Sequence, residues 1–255
     1  MAASKAWAVV AGATGPWEIF WLTEATRGAC VARKFAQAYP VALLARKPAN
    51  YEPIVQEIEA AGGKAIGIST DVSDSASVKN AFEKLDKEMG DAQLAAAVFN
   101  VGGSFIKKPF LELTEEEFLS GMDANGKGGF LFSRAALPLL LKATNLEYPP
   151  TLIFTSATAA MKGSAYCASF STGKFAMRSL AQSLAREFGP QGVHVAHAII
   201  DGVIDIERTK AWKVSDAPDA KISPHAIADS YWFLHTQHRS CFTNEIDIRP
   251  YVEKW

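Results

Sequence analysis

Ala6-Trp7-Ala8-Val9-Val10-Ala11-Gly12-Ala13-Thr14-Gly15-Pro16 is the stretch that decides the fold. It opens with an apolar run of strand length, and glycines follow at once. A buried strand that breaks into a glycine turn before a helical pattern is the start of a β-α-β unit. The helical pattern is present in residues 28–39, where Val31, Ala32, Phe35 and Ala36 recur along one face. Next comes Val41-Ala42-Leu43-Leu44-Ala45, apolar without alternation. That is how a parallel strand covered on both faces reads.

The same alternation continues outward. Helical patterns occupy residues 53–62, 73–89, 114–143 and 165–188, and strand patterns residues 64–69, 94–99, 151–156 and 193–200. The 114–143 helix opens with Thr114 and Glu117 spaced as a capping box. Ser223-Pro224 starts another helix, and residues 245–248 form a last short strand. Strict β/α alternation predicts a parallel sheet with helices on both faces. Right-handed crossovers make it doubly wound. The expected architecture is α/β, a single-domain Rossmann fold over residues 1–255. Ligands of such sheets bind beyond the carboxyl ends of the strands, so the loops that follow each strand are where chemistry belongs.

Bulk properties narrow the function. A net charge of −1 gives no general field for nucleic acid or an anionic membrane, so neither is expected as a partner. No stretch reaches the roughly 20 apolar residues of a membrane span. Cys30, Cys167 and Cys241 are odd in number and lack ligand spacing. They read as reduced thiols of a cytoplasmic protein. The histidines at 194 and 197 sit at odd spacing on one strand, face opposite sides, and read as core residues rather than ligands.

The glycines after the first strand suit a dinucleotide. Gly12 permits the tight turn, Gly15 lets backbone N–H groups approach the pyrophosphate, and Gly28 lets the helix pack closely. Residues 17–26, Trp-Glu-Ile-Phe-Trp-Leu-Thr-Glu-Ala-Thr, interrupt this loop. Without them the chain would read Gly-Ala-Thr-Gly-Pro-Arg-Gly-Ala, close to an ordinary phosphate loop. The insert is a lobe over the site, a substrate or partner patch, or the product of a divergent or misread exon. After the second strand stand Arg46-Lys47, where an acidic residue would bind the ribose 2′-hydroxyl of NAD. Two cations suit a 2′-phosphate instead, so the expected cofactor is NADP(H), with Arg46 as the main contact. Asp71 and Val72 fall beside the adenine, and Asn100 and Gly102 line the groove.

These pieces, with Asp123-Ala124-Asn125, the 156–174 segment and the Ser223-Pro224 helix, resemble a short-chain dehydrogenase/reductase along nearly the whole chain. The resemblance implies hydride transfer between a nicotinamide cofactor and a carbonyl or alcohol of a small molecule. It implies Asn125 in the proton relay and Lys174 on the nicotinamide ribose, with Ile204 also at the cofactor. It implies a substrate lid over residues 203–222. It also implies pairing through the helices 114–143 and 165–188 into a homodimer or homotetramer.

The pattern breaks where the proton should move. Four residues before Lys174 the family's Tyr is Phe170, and thirteen before that its Ser is Ala157. The usual Pro-Gly after the sixth strand is Asp201-Gly202. Phe170 has no proton to give. Tyr166, one helical turn earlier, is the candidate substitute if it shares a face with Phe170 and Lys174. Ser156 is expected to point away from Ala157, and Thr158 as well unless the strand has ended. Phe105, Phe110, Met161 and Trp212 are expected pocket liners. Three functions remain open: an oxidoreductase with an altered proton-transfer site, a catalytically inactive dinucleotide-binding relative, and a scaffold without cofactor.

Overall fold

The computed structural model describes residues 6–12, 27–103 and 105–254. Gly15 and the insert at 17–26 lie outside the described residues. Seven strands form one parallel sheet in the order β3-β2-β1-β4-β5-β6-β7. They are β1 (Ala6–Ala11), β2 (Val41–Ala45), β3 (Ala65–Ser69), β4 (Gln93–Phe99), β5 (Thr151–Thr155), β6 (His194–Ile200) and β7 (Glu245–Ile248). The order reverses between β1 and β4, which is the doubly wound Rossmann arrangement read from the alternation.

Side-chain alternation along β1 divides the core. Ala8 and Val10 face α1 (Arg27–Ala36), α2 (Glu52–Ala60) and α7 (Pro224–His235), packing with Phe35, Ile54, Ile58 and Tyr231. Trp7, Val9 and Ala11 face α3 (Ser75–Met89), α5 (Gly128–Leu141) and α6 (Ala168–Phe188), packing with Phe82, Leu85, Phe132 and Met177. Phe132 meets the rings of Phe82 at 5.8 Å and Phe99 at 5.4 Å. Burying each such side chain contributes about 1.5–3 kcal/mol. Asp74 opens α3 by accepting from the N–H groups of Ala76 (3.1 Å) and Ser77 (3.3 Å). Asp74→Ala is expected to cost about 1 kcal/mol, read as a small fall in melting temperature without loss of the fold.

The histidines behave as the odd spacing predicts. His194 lies on the α7 side, within 2.9 Å of the carbonyls of Leu234 and Thr243. His197 lies on the α6 side against Glu245, at 3.1 Å.

Two helices differ from expectation. The 114–143 pattern is α4 (Glu115–Met122) followed by a π-helical stretch, Asp123–Lys127, and then α5. The capping box at Thr114 and Glu117 is formed. The second helix, expected from residue 165, starts at Ala168. Tyr166 therefore stands before it, with a positive φ of 67°. A run of small, polar and cysteine residues precedes Ala168, and the apolar periodicity does not reveal where the turn ends.

Candidate active site

The site is built at the carboxyl ends of β1, β4, β5 and β6. Gly12 leaves β1 with φ 83°, and a Cβ there would lie 2.8 Å from the backbone of Asn100. No side chain fits. The Asn100 amide donates to the Gly12 carbonyl at 3.2 Å, tying the two strand ends together. Its Oδ1 is buried without a protein partner among the described residues, as is Oδ1 of Asn125. Buried acceptors of this kind are available to an incoming donor. With the glycine cradle, they fit the dinucleotide expected in this crevice.

Around that crevice the expected cofactor residues are placed as follows. Gly28 is buried in the first turn of α1. Arg46 is exposed, one residue past the end of β2. Asp71 is exposed past the end of β3, and hydrogen bonds from Ser73 hold its carboxyl below the usual range, helped by Arg46 and Lys127 nearby. Val72 turns inward, so that a Cβ on Gly128 would stand 3.1 Å from it. Gly102 is half-buried, and a Cβ on neighbouring Gly103 would lie 3.0 Å from the Asn125 amide. Ile204 pairs in a parallel bridge with Ile222.

Asn125 is fully buried at the centre of the π-helical stretch, donating to the Gly121 carbonyl at 3.0 Å. π-Turns are frequent where a helix must aim a functional side chain. Lys174 is also buried. Its Nζ reaches the strand ends and donates to the carbonyls of Thr155 (3.2 Å) and Val101 (3.4 Å). Phe170 lies one turn earlier on the same face of α6, its ring centre 5.8 Å from that ammonium. Phe105 meets Phe170 edge to face at 5.2 Å. Where a hydroxyl would deliver a proton, this chain has an aromatic wall against a cation.

Tyr166 is exposed and stands two residues before α6 begins, rather than one turn earlier on that helix; its carbonyl accepts from the Lys108 N–H at 2.9 Å. The expected pocket liners Phe105, Phe110, Met161 and Trp212 are all largely exposed.

Sequence reasoning missed one constellation. β5 ends at Thr155, and a 3-10 turn over Thr158–Ala160 follows, so Thr158 is released from strand alternation. Its hydroxyl donates to Oδ1 of Asp201, the residue that stands in place of proline after β6. Arg249, from the segment after β7, holds the other oxygen of Asp201 at 3.3 Å. The odd aspartate was a visible signal, but nothing local announced Arg249, 48 residues later.

Comparison with known proteins agrees with this architecture. The family model for short chain dehydrogenase matches residues 23–216. The chain is 31% identical over 177 residues to an L-2,3-butanediol dehydrogenase of Corynebacterium glutamicum, covering 69% of this chain and 65% of that protein. A short-chain dehydrogenase structure from Rhodopseudomonas palustris is 33% identical, with a TM-score of 0.77 over 97% of this chain and 99% of that one. A metagenomic short-chain oxidoreductase solved in complex with NADP is 25% identical, also with a TM-score of 0.77, over 98% of this chain and 99% of that one. The chain belongs to the short-chain dehydrogenase/reductase family of oxidoreductases.

Proposed function

We propose that this chain is an NADP(H)-dependent oxidoreductase that interconverts a carbonyl and an alcohol on a small molecule, through a proton-transfer site altered from the family pattern. Arg46 carries the cofactor choice. It stands at the end of β2, with Lys47 beside it and no carboxylate at that position to take a ribose 2′-hydroxyl. The metagenomic relative solved with NADP supports the same reading.

In this reading Gly12, Gly15 and Gly28 receive the pyrophosphate, Arg46 the 2′-phosphate, and Asp71 and Val72 the adenine end. Asn100 and Gly102 line the groove. Lys174 and Ile204 hold the nicotinamide end, with Asn125 and Lys174 as the family's remaining catalytic groups. The cofactor supplies the hydride, and the chain supplies position and charge. Residues 203–222 are the segment that closes on substrate, and the 2,3-butanediol relative makes a small hydroxy compound the first probe. The whole of residues 1–255 acts as one dinucleotide-binding domain, pairing with further copies through α4–α5 and α6. No helix among the described residues is long and apolar enough to cross a membrane.

NADPH fluorescence titration tests the reading. Arg46→Ala should weaken NADPH about tenfold, the worth of one charge-assisted hydrogen bond, and leave NADH unchanged. An equal loss for both cofactors would remove the case for NADP. Phe170 and Ala157 favour a second reading, a dinucleotide-binding protein without turnover. It predicts NADPH binding with no oxidation of 2,3-butanediol or reduction of the matching diketone. Failure to bind NADPH at millimolar concentration would leave only the scaffold.

A further inference from the structure

The family's proton donor is missing from α6, yet the neighbouring strand ends carry an acid and a hydroxyl that the pattern lacks. We infer that Thr158, backed by Asp201, is the group that takes and returns the proton of the substrate hydroxyl. This rests on the oxidoreductase reading above and names the residues that replace its Tyr and Ser.

Lys174 Nζ sits between the ends of β4 and β5, on the carbonyls of Val101 and Thr155. Thr158 and Asp201 meet between the ends of β5 and β6. These two gaps are one strand spacing apart, about 5 Å along the sheet edge. The dyad therefore stands beside the residue that anchors the nicotinamide end, on the carboxyl edge where such sheets bind ligands.

The direction of the hydrogen bond leaves an acceptor free. The Thr158 proton is committed to Asp201, which leaves the lone pairs of its oxygen for an outside donor. An alcohol is such a donor. In oxidation the substrate O–H proton passes to Thr158 Oγ1 as the Thr158 proton passes to the Asp201 carboxylate. The carbon's hydride goes to the oxidised nicotinamide, and the C–O bond becomes C=O. Reduction runs the same transfers backwards, with the proton leaving Asp201 and ending on the alcohol oxygen. Thr158 is the catalytic residue, and Asp201 acts through it.

The arrangement is also costly to keep. Asp201 is 92% buried, and an unpaired carboxylate there would be expensive. Arg249 supplies the charged partner, at 3.3 Å from the carboxylate oxygen that Thr158 leaves. Arg249 also pairs with the carboxylate of Asp247, and that of Glu253 lies near it.

Trifluoroethanol, an acidic alcohol that cannot readily lose hydride, isolates the step. Its ¹⁹F signal is followed with the full-length protein and NADP⁺, and NADPH affinity is measured separately by fluorescence. The wild type should bind trifluoroethanol more tightly at higher pH, because the alcohol can hand its proton only to an unprotonated dyad. Asp201→Asn still accepts the Thr158 hydrogen bond but takes no proton, so it should bind at least tenfold more weakly and lose the pH dependence. Thr158→Val should do the same and Thr158→Ser should restore binding, with NADPH affinity unchanged in all three variants. Equal trifluoroethanol affinity in wild type and Asp201→Asn overturns the assignment, as does no binding to a wild type that holds NADPH. A fall in melting temperature with intact alcohol binding makes the dyad structural and overturns it too. Wild type that fails to bind NADPH overturns the oxidoreductase reading and this inference together.

Discussion

Gly173→Ala is expected to cost the fold about 3 kcal/mol and to dislodge Lys174 with it. A Cβ at Gly173 would lie 2.1 Å from the Gly121 carbonyl oxygen and 2.6 Å from its carbon. The contact is reciprocal, since a Cβ at Gly121 would lie 2.2 Å from the Ser169 carbonyl. Backbone meets backbone here, so no rotamer change relieves the clash; α4 and α6 must separate. Separation also strains Ser169, whose one hydroxyl proton is shared between the carbonyls of Glu117 and Phe118 while its oxygen accepts from the Gly121 N–H. The same Cβ would press on the Asn125 amide at 3.2 Å. One methyl group thus reaches stability, Asn125 and Lys174 together. At this chain length the loss corresponds to a melting temperature lower by roughly 6–12 °C. Gly126→Ala is the control, because its Cβ meets only side-chain methyls, those of Ala176 at 3.3 Å and Met122 at 3.6 Å. Scanning fluorimetry of both variants decides the matter: a Gly173→Ala melting temperature within 2 °C of wild type would refute the helix contact.

Mild acid should weaken the fold through two buried histidines. His235 is enclosed between Tyr39 and Thr151, and burial pushes its pKa down to about 4. Burial likewise pushes His197 down to about 4, outweighing the opposing pull of Glu245. A depressed pKa means that the unfolded chain takes up the proton first. The stabilisation is therefore complete above the unfolded value of about 6.5 and is lost as pH falls toward 4. At 1.36 kcal/mol per pH unit, the difference amounts to roughly 3 kcal/mol for each histidine. Urea denaturation at pH 7.5 and pH 4.5 should show a loss of about 5 kcal/mol for the pair. His235→Gln should remove about half of that pH slope. A flat profile between the two pH values would mean that the rings are hydrated or charged in the native state.

The sheet was legible because burial leaves a simple mark. Val41–Ala45 and Ala6–Ala11 are apolar throughout, and the structure buries every residue of both. The glycine turn after β1 was legible for a related reason, since Gly12 can be nothing else where its Cβ would strike Asn100. Tyr166 was misplaced because i, i+4 spacing describes a helix already begun, and spacing alone does not say where α6 begins. Asp201 was noticed only as a departure from a pattern. Its meaning depends on Thr158 and Arg249, which sheet topology brings to it across two neighbouring strands. Contacts between distant segments of this kind leave no periodic trace in the chain.

The parallel bridge between Ile204 and Ile222 has a consequence for how this molecule changes over time. The Asp205 N–H donates to the Ile222 carbonyl at 2.9 Å, and the Ile222 N–H to Val203 at 2.8 Å. Residues 205–221 thus leave and rejoin the body through one closed neck. Inside it, Lys221 reaches back to the carbonyls of Thr209 and Lys210 at 2.7 and 2.9 Å, so the loop supports itself. A segment joined at its own base transmits little of its length or composition to the sheet. In the proposed reading, where this segment closes on substrate, it is an exchangeable cassette that selection can rewrite with little cost to the seven strands.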